Sequence, residues 1–159
     1  MKTCVFPGSF DPVTRGHLDL IRRAAACFDR VTVTLMVNIH KQGRLDPETR
    51  IRLLEDACAG MKNVVIDRWD GLLADYMARK GETAVIRGVR SAAEFEAEIT
   101  TAEINRQLNP AMETLLLPAS AGYAGLSSTA VWEIASFGGE ISPFVTEKTA
   151  EEIRRRMSK

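Results

Sequence analysis

The stretch FPGSFDPVTRGH (residues 6–17) holds two glycines and two prolines among twelve residues. Glycine permits close backbone approaches and left-handed backbone angles, whereas proline fixes φ and removes a hydrogen-bond donor. The stretch is therefore predicted as a loop, and it separates a short apolar run from a segment of helical period. A strand, a glycine-containing loop and a helix in this order predict an α/β fold.

Short apolar runs and longer helical segments alternate along the rest of the chain. Strands are predicted at residues 3–6, 31–37, 64–66, 84–86 and 113–117. Several are apolar throughout, as is typical of strands buried on both faces. Helices are predicted at residues 17–28, 46–60, 72–81, 91–109, 127–139 and 147–157. This order predicts a doubly wound, five-stranded parallel sheet covered by helices on both faces, with ligands bound at the carboxyl ends of the strands.

Length and composition predict one domain over residues 1–159 and exclude several functional classes. Lys+Arg and Asp+Glu each number 21, and no basic run provides a footprint for nucleic acid. No apolar stretch approaches the roughly 18 residues that a membrane span needs. Because Cys4, Cys27 and Cys58 are widely spaced and odd in number, neither a disulfide framework nor a zinc site is supported. We therefore expect a cytoplasmic protein.

The glycine- and proline-containing loop leaves the first strand at its carboxyl end and enters the first helix. Free N–H groups and partial positive charge at a helix start favour phosphate. The loop matches neither GxGxxG nor GxxxxGK[ST]. His17, in the first turn, should resist protonation because of the helix dipole, which suggests a neutral donor aimed at phosphate. A surface or helix-capping histidine is the alternative.

Two segments resemble signatures of the nucleotidyltransferase superfamily. TRGH (residues 14–17) is similar to its [T/H]xGH motif, and LSST (residues 126–129) to its serine-rich helix start. More specifically, the chain resembles the phosphopantetheine adenylyltransferase family of the bacterial coenzyme A pathway. The segments that carry this resemblance are FPGSFDPVTRGHLDLI (6–21), NIHK (38–41), IRGVR (86–90), FEAEI (95–99) and YAGLSST (123–129), together with Asn105. The resemblance implies a Rossmann-like nucleotidyltransferase fold.

The same resemblance implies the reaction and its participants. The family transfers AMP from ATP to 4′-phosphopantetheine, which gives dephospho-coenzyme A and pyrophosphate. The acceptor is a phosphate monoester with a second pKa of about 6, so no general base is required. Mg²⁺ should enter on the ATP oxygens, without a protein ligand. The family is a homohexamer, although no pattern in this sequence leads to that state.

Site residues are carried over from the family position by position. His17 would be the catalytic residue that stabilises the α-phosphate. The acceptor would be bound by Ser9, Lys41, Leu73, Arg87 and Asn105. ATP would be bound by Ser9, Phe10, His17, Gly88, Val89, Arg90, Glu98, Tyr123, Ala124, Gly125, Leu126, Ser127, Ser128 and Thr129.

The sequence departs from the family pattern at two positions. Ala97 replaces a frequent tyrosine, and Trp132 replaces a common Lys or Arg, which removes one expected contact with the triphosphate. Two alternatives remain open at this point. The acceptor could be another molecule such as nicotinamide mononucleotide or glycerol 3-phosphate, or the protein could be a nucleotide-binding sensor without turnover.

Overall fold

A computed structural model describes residues 1–158, in which five strands form one parallel sheet. Their bounds are β1 (Thr3–Gly8), β2 (Arg30–Met36), β3 (Val64–Trp69), β4 (Ala84–Val89) and β5 (Glu113–Pro118). The order across the sheet is β3-β2-β1-β4-β5, so the direction of winding changes between β1 and β4. The predicted five-stranded parallel sheet is confirmed. Three strands continue two or more residues beyond their predicted ends: β1 by two residues into the segment predicted as a loop, and β3 and β4 by three residues each.

Six α-helices lie within the same described residues. They are α1 (Arg15–Cys27), α2 (Pro47–Cys58), α3 (Leu73–Lys80), α4 (Ala92–Leu108), α5 (Ser128–Ser136) and α6 (Glu147–Met157). Predicted caps set their ends: the Asp46 carboxylate accepts the Thr49 N–H at 2.8 Å, and Ser91 caps α4. Gly81 ends α3 with a left-handed φ of 68°.

The sheet has an apolar core on each face. Because side chains alternate along a strand, Cys4 and Phe6 enter a large core with α1, α2, α5 and α6. Val5 points the opposite way, into a smaller core with α3. α4 completes the second face, and every one of its residues is at least partly exposed. The helices thus leave the carboxyl edge of the sheet open for a site.

In the part of the chain that the structure describes, no helix combines sufficient length with sufficient apolar character to cross a bilayer.

Candidate active site

The loop after β1 and the loop after β5 meet above the carboxyl ends of β1 and β4. Open α/β sheets bind ligands at this point, where the strand order reverses. A cavity of about 360 Å³ opens there, and we call it the first cavity. Ten predicted site residues line it: Ser9, His17, Arg87, Gly88, Arg90, Glu98, Tyr123, Leu126, Ser127 and Ser128. The histidine motif and the serine-rich turn, far apart in sequence, are therefore brought to one cavity.

His17 is held by the cap of its own helix. It is the third residue of α1, and Thr14 is the N-cap residue whose hydroxyl accepts the His17 backbone N–H at 3.3 Å. In return, the Thr14 backbone N–H donates to His17 Nδ1 at 3.0 Å. Because a backbone N–H can only donate, the neutral imidazole carries its proton on Nε2. His17 thus offers Nε2–H as its donor to the first cavity.

The protonation state of His17 is set by its surroundings. Burial, followed by the charges of Arg87 and Arg90, lowers the pKa of His17 to about 4. The imidazole is therefore neutral near pH 7. The sequence led to the same expectation for a different reason, since the helix dipole was thought to oppose protonation. The causes that the structure shows are burial and the two arginines.

Arg87 and Arg90 each pair with a carboxylate of α4. Arg87 Nη2 lies 2.7 Å from Glu98 Oε1, and its Nη1 donates to the Pro7 carbonyl at 2.9 Å. Arg90 pairs with Glu94 and donates to the Leu126 carbonyl at 2.6 Å. Glu98 was predicted as an ATP contact, and the structure shows it as the counter-ion of Arg87. These four side chains sum to no net charge.

Two helix N-termini supply positive potential that these pairs leave untouched. The first turns of α1 and α5, which begin at the cavity, contain no acidic residue. By contrast, the first turns of α2, α3, α4 and α6 each contain one. Acidic side chains neutralise the dipole at a helix start. The starts of α1 and α5 therefore remain suited to an anion.

The cavity depends on a close approach between β4 and α1. A Cβ atom added to Gly88 would lie 2.3 Å from Leu20 Cδ1, well inside van der Waals contact. Any other residue at this position would force the Leu20 side chain to move out of its place between α1 and the sheet.

A second cavity of about 300 Å³ adjoins the first. It is lined by four predicted acceptor-binding residues: Ser9, Leu73, Arg87 and Asn105. Met36 and Val85 add apolar surface. Ser9, Arg87 and Glu98 line both cavities and form a shared wall between them. A ligand in one cavity would therefore meet a ligand in the other at this wall.

The remaining predicted residues lie outside both linings. Lys41 is exposed on the loop between β2 and α2. Phe10 is buried, and its ring packs edge-on against His17 with centroids 5.1 Å apart. The others outside the two linings are Val89, Ala124, Gly125 and Thr129. Their contacts with ligand stay predictions.

Trp132 has a structural role that the sequence did not reveal. It is buried, and its indole N–H donates to the Asp11 carbonyl at 2.9 Å. The Asp11 carboxylate accepts the backbone N–H groups of Arg44 and Leu45 at 2.7 and 2.9 Å. The Arg44 guanidinium lies 5.3 Å from the centre of the Trp132 ring. Asp11 therefore ties the loop after β1 to α5 and to the loop before α2, and only its tertiary partners disclose this.

The fold and the site define a nucleotidyltransferase. Residues 5–134 match the family described as cytidylyltransferase-like. A solved structure described as "a Putative Nicotinate-nucleotide Adenylyltransferase from Vibrio parahaemolyticus" superposes with a TM-score of 0.67 at 19% identity, covering 95% of this chain and 91% of that chain. At this identity the likeness concerns the fold alone.

Relatives in sequence show to which family of nucleotidyltransferases the chain belongs. A phosphopantetheine adenylyltransferase of Clostridium perfringens is 42% identical over 158 residues, which are 99% of this chain and 96% of that protein. One of Deinococcus radiodurans is 42% identical over 156 residues, covering 97% and 93% respectively. The chain belongs to the phosphopantetheine adenylyltransferase family, and the resemblance seen in the sequence motifs is confirmed.

Proposed function

We propose that this protein transfers the adenylyl group of ATP to 4′-phosphopantetheine, forming dephospho-coenzyme A and releasing pyrophosphate. The observation that carries the proposal is the pair of adjoining cavities. The first has helix N-termini, arginines and His17, which suit a triphosphate. The second has apolar surface and Asn105, which suit a pantetheine arm. Their shared wall at Ser9 and Arg87 is where the two reacting phosphates would meet.

The reaction is an in-line displacement at phosphorus. An oxygen of the acceptor phosphate attacks the α-phosphorus, and the bond from that phosphorus to the oxygen bridging to the β-phosphate breaks. Pyrophosphate leaves with the bonding electrons, so no proton has to be removed from a dianionic acceptor. Catalysis then consists of positioning and charge stabilisation. His17 Nε2–H donates to a non-bridging α-phosphate oxygen as its charge grows.

The arginines of the first cavity would exchange partners when ATP binds. Arg87 and Arg90 are held by Glu98 and Glu94. A phosphate entering the cavity takes over part of these bonds, because guanidinium groups bind phosphate and carboxylate in the same two-pronged way. Arg90 would then serve ATP, and Arg87, at the shared wall, would serve the acceptor phosphate. We propose Lys41, on its exposed loop, as a further point charge for the acceptor phosphate.

Mg²⁺ would be held mainly by the triphosphate. In residues 1–158 no three His, Cys, Asp or Glu side chains form a metal-binding group. The carboxylates at the first cavity, Glu94 and Glu98, are engaged by arginines. Mg²⁺ commonly keeps several waters and binds through substrate phosphates. When bound, it would neutralise charge on the departing pyrophosphate.

We also propose a homohexamer in the cytoplasm, as in the family that the chain resembles. Exposed apolar side chains on α4 support self-association: Phe95, Ile99, Ile104 and Leu108. Free thiols at Cys4, Cys27 and Cys58 support a reducing compartment. A monomer mass measured by light scattering at micromolar concentration would contradict the assembly.

The proposed reaction is tested by incubating the protein with ATP, Mg²⁺ and 4′-phosphopantetheine. Mass spectrometry should detect dephospho-coenzyme A together with stoichiometric pyrophosphate. Parallel reactions contain pantetheine, which lacks the attacking phosphate, or nicotinamide mononucleotide or glycerol 3-phosphate. Product with either of the last two acceptors in preference to 4′-phosphopantetheine would overturn the assignment of the acceptor. Tight ATP binding without product from any acceptor would favour a sensor.

A further inference from the structure

Arg50, in the first turn of α2, is a buried cation that forms no ion pair with the residues that the structure describes. Only 6% of its surface is exposed. Its Nη1 donates to the Ser9 carbonyl at 2.9 Å, and its buried Nε has no hydrogen-bond acceptor. None of the ion pairs formed among residues 1–158 includes Arg50.

This isolation sets Arg50 apart from the arginines of the first cavity. Arg87 and Arg90 are each neutralised by a carboxylate of α4. A buried charge that lacks such a partner is costly to the folded protein. Positive charge retained at that cost lies directly behind Ser9, the loop residue that lines both cavities, where it can act on an anion that a ligand brings there.

The geometry of the loop shows how Arg50 would act on that anion. The peptide bond between Ser9 and Phe10 is trans, so its carbonyl and its N–H point in opposite directions. Because Arg50 holds the Ser9 carbonyl, the Phe10 N–H is turned to the side away from Arg50. Among the described residues, no acceptor takes up this N–H.

Phe10 is held in an unusual conformation that preserves this peptide orientation. Its φ of 44° lies in the left-handed region, which non-glycine residues adopt at a cost. Its ring is buried against His17, so the conformation is fixed by packing. The bond from Arg50 and the packing of the Phe10 ring thus both fix the orientation of one peptide N–H.

We propose that Arg50 is a positioning residue for the phosphate bound at Ser9. It turns the Ser9–Phe10 peptide so that the Phe10 N–H faces the phosphate, and it adds positive charge that is not taken up in any ion pair of the described residues. The proposal rests on the proposed function, because the phosphate belongs to ATP or to 4′-phosphopantetheine. Arg50 itself lies outside both cavity linings and acts through Ser9.

The experiment compares ligands that differ in their phosphates. Calorimetry measures the dissociation constants of ATP, adenosine, 4′-phosphopantetheine and pantetheine for the wild type, Arg50→Met and Arg50→Lys. Arg52→Met is the matched control, because Arg52 lies on the same helix, is exposed, and pairs with Glu152 at 3.3 Å. Arg50→Met should weaken at least one phosphorylated ligand about tenfold, the scale expected of one charge acting through partly buried protein.

The unphosphorylated ligands decide between positioning and mere structural support. In Arg50→Met, adenosine and pantetheine should bind within about twofold of wild type, since they carry no phosphate charge. Arg50→Lys keeps the charge but loses the planar guanidinium, so its affinity for the phosphorylated ligands should lie between those of wild type and Arg50→Met. If Arg50→Met does not fold, Arg50→Lys is compared with wild type and should weaken only the phosphorylated ligands. If only the dissociation constant of ATP rises, Arg50 acts on a phosphate of ATP. If only that of 4′-phosphopantetheine rises, it acts on the acceptor phosphate.

Equal weakening of phosphorylated and unphosphorylated ligands would overturn the inference, and so would unchanged binding of all four. A failure of the proposed function is a separate result, because it appears as absence of dephospho-coenzyme A with the wild-type protein. The dissociation constants of the phosphorylated and unphosphorylated ligands are measured one ligand at a time, without turnover, so they do not depend on that product.

Discussion

The two cavities are built from the same wall and differ in almost everything else. The first contains two arginine–glutamate pairs, His17 and two helix N-termini free of acidic residues. The second contains the aliphatic and thioether surface of Leu73, Val85 and Met36. A polar ligand and a largely uncharged one are thereby separated, while their reacting phosphates are directed to one place. Changes in the first cavity should mainly affect the chemical step, and changes in the second should mainly affect binding of the acceptor.

The sharpest test of this division is His17→Ala. Removing one donor to a transition-state oxyanion typically lowers kcat about 100- to 1,000-fold. We expect a loss of that size, while the dissociation constant of ATP changes less than about threefold. Pyrophosphate release gives kcat, and calorimetry gives the affinity.

His40→Ala is the matched control, since His40 is the other of the two histidines and is exposed. It should behave as wild type. The substitution leaves the Thr14 cap of α1 in place but removes the acceptor of the Thr14 backbone N–H, which costs stability of about 1 kcal/mol that a thermal melt measures separately. A fall in kcat matched by an equal fall in ATP affinity would make His17 a ground-state contact and would break the division between the cavities.

Local signals in the sequence were sufficient for the scaffold. Strands buried on both faces and helix caps such as Asp46 depend on neighbouring residues, so they can be predicted from the chain alone. The positions of His17 and Ser127 at one cavity followed once parallel strands with helical crossovers were inferred, because such strands share a carboxyl edge.

Partnerships across the fold could not be predicted in this way. Glu98 occurs in a charged segment that is typical of an exposed helix face, yet it pairs with Arg87 of β4. Arg50 lies in an ordinary amphipathic pattern, and nothing in its neighbourhood in sequence indicates burial. In the sequence Trp132 stands out only for the cation that it replaces, because its bond to Asp11 spans more than a hundred residues. Such contacts are set by packing rather than by local propensity.

The pH dependence of kcat/KM for the acceptor tests whether His17 or the acceptor phosphate sets the lower pH limit of activity. His17 has a pKa of about 4, so it stays neutral as the pH falls from 7 to 5. Over the same range the acceptor phosphate, with a second pKa of about 6, loses its dianion, and we expect kcat/KM to fall about tenfold.

A lowered pKa also fixes the sign of the effect on stability. The unfolded chain protonates His17 first, so this residue's contribution to stability is present above about pH 6.5 and is lost as the pH falls towards 4.

The fall in kcat/KM at low pH can be assigned with an acceptor that carries a more weakly acidic phosphonate in place of the phosphate. With this acceptor the fall should begin at a higher pH. If the fall in kcat/KM stays at the same pH, a titrating group of the protein causes it.

Leu73→Ala is the smallest expected change and addresses the second cavity alone. Leu73 begins α3, is half-buried, and lines this cavity without lining the first. Loss of its apolar surface should raise KM for 4′-phosphopantetheine about fivefold, on the scale of one or two methylene contacts. KM for ATP and kcat should change less than about twofold, because the pairs around Arg87 and Arg90 are untouched. Leu72→Ala, at the exposed neighbouring position, is the control and should match wild type in steady-state kinetics. An equal rise in KM for ATP would mean that the two cavities act as one site, since the lost surface would then be felt on both sides of the wall.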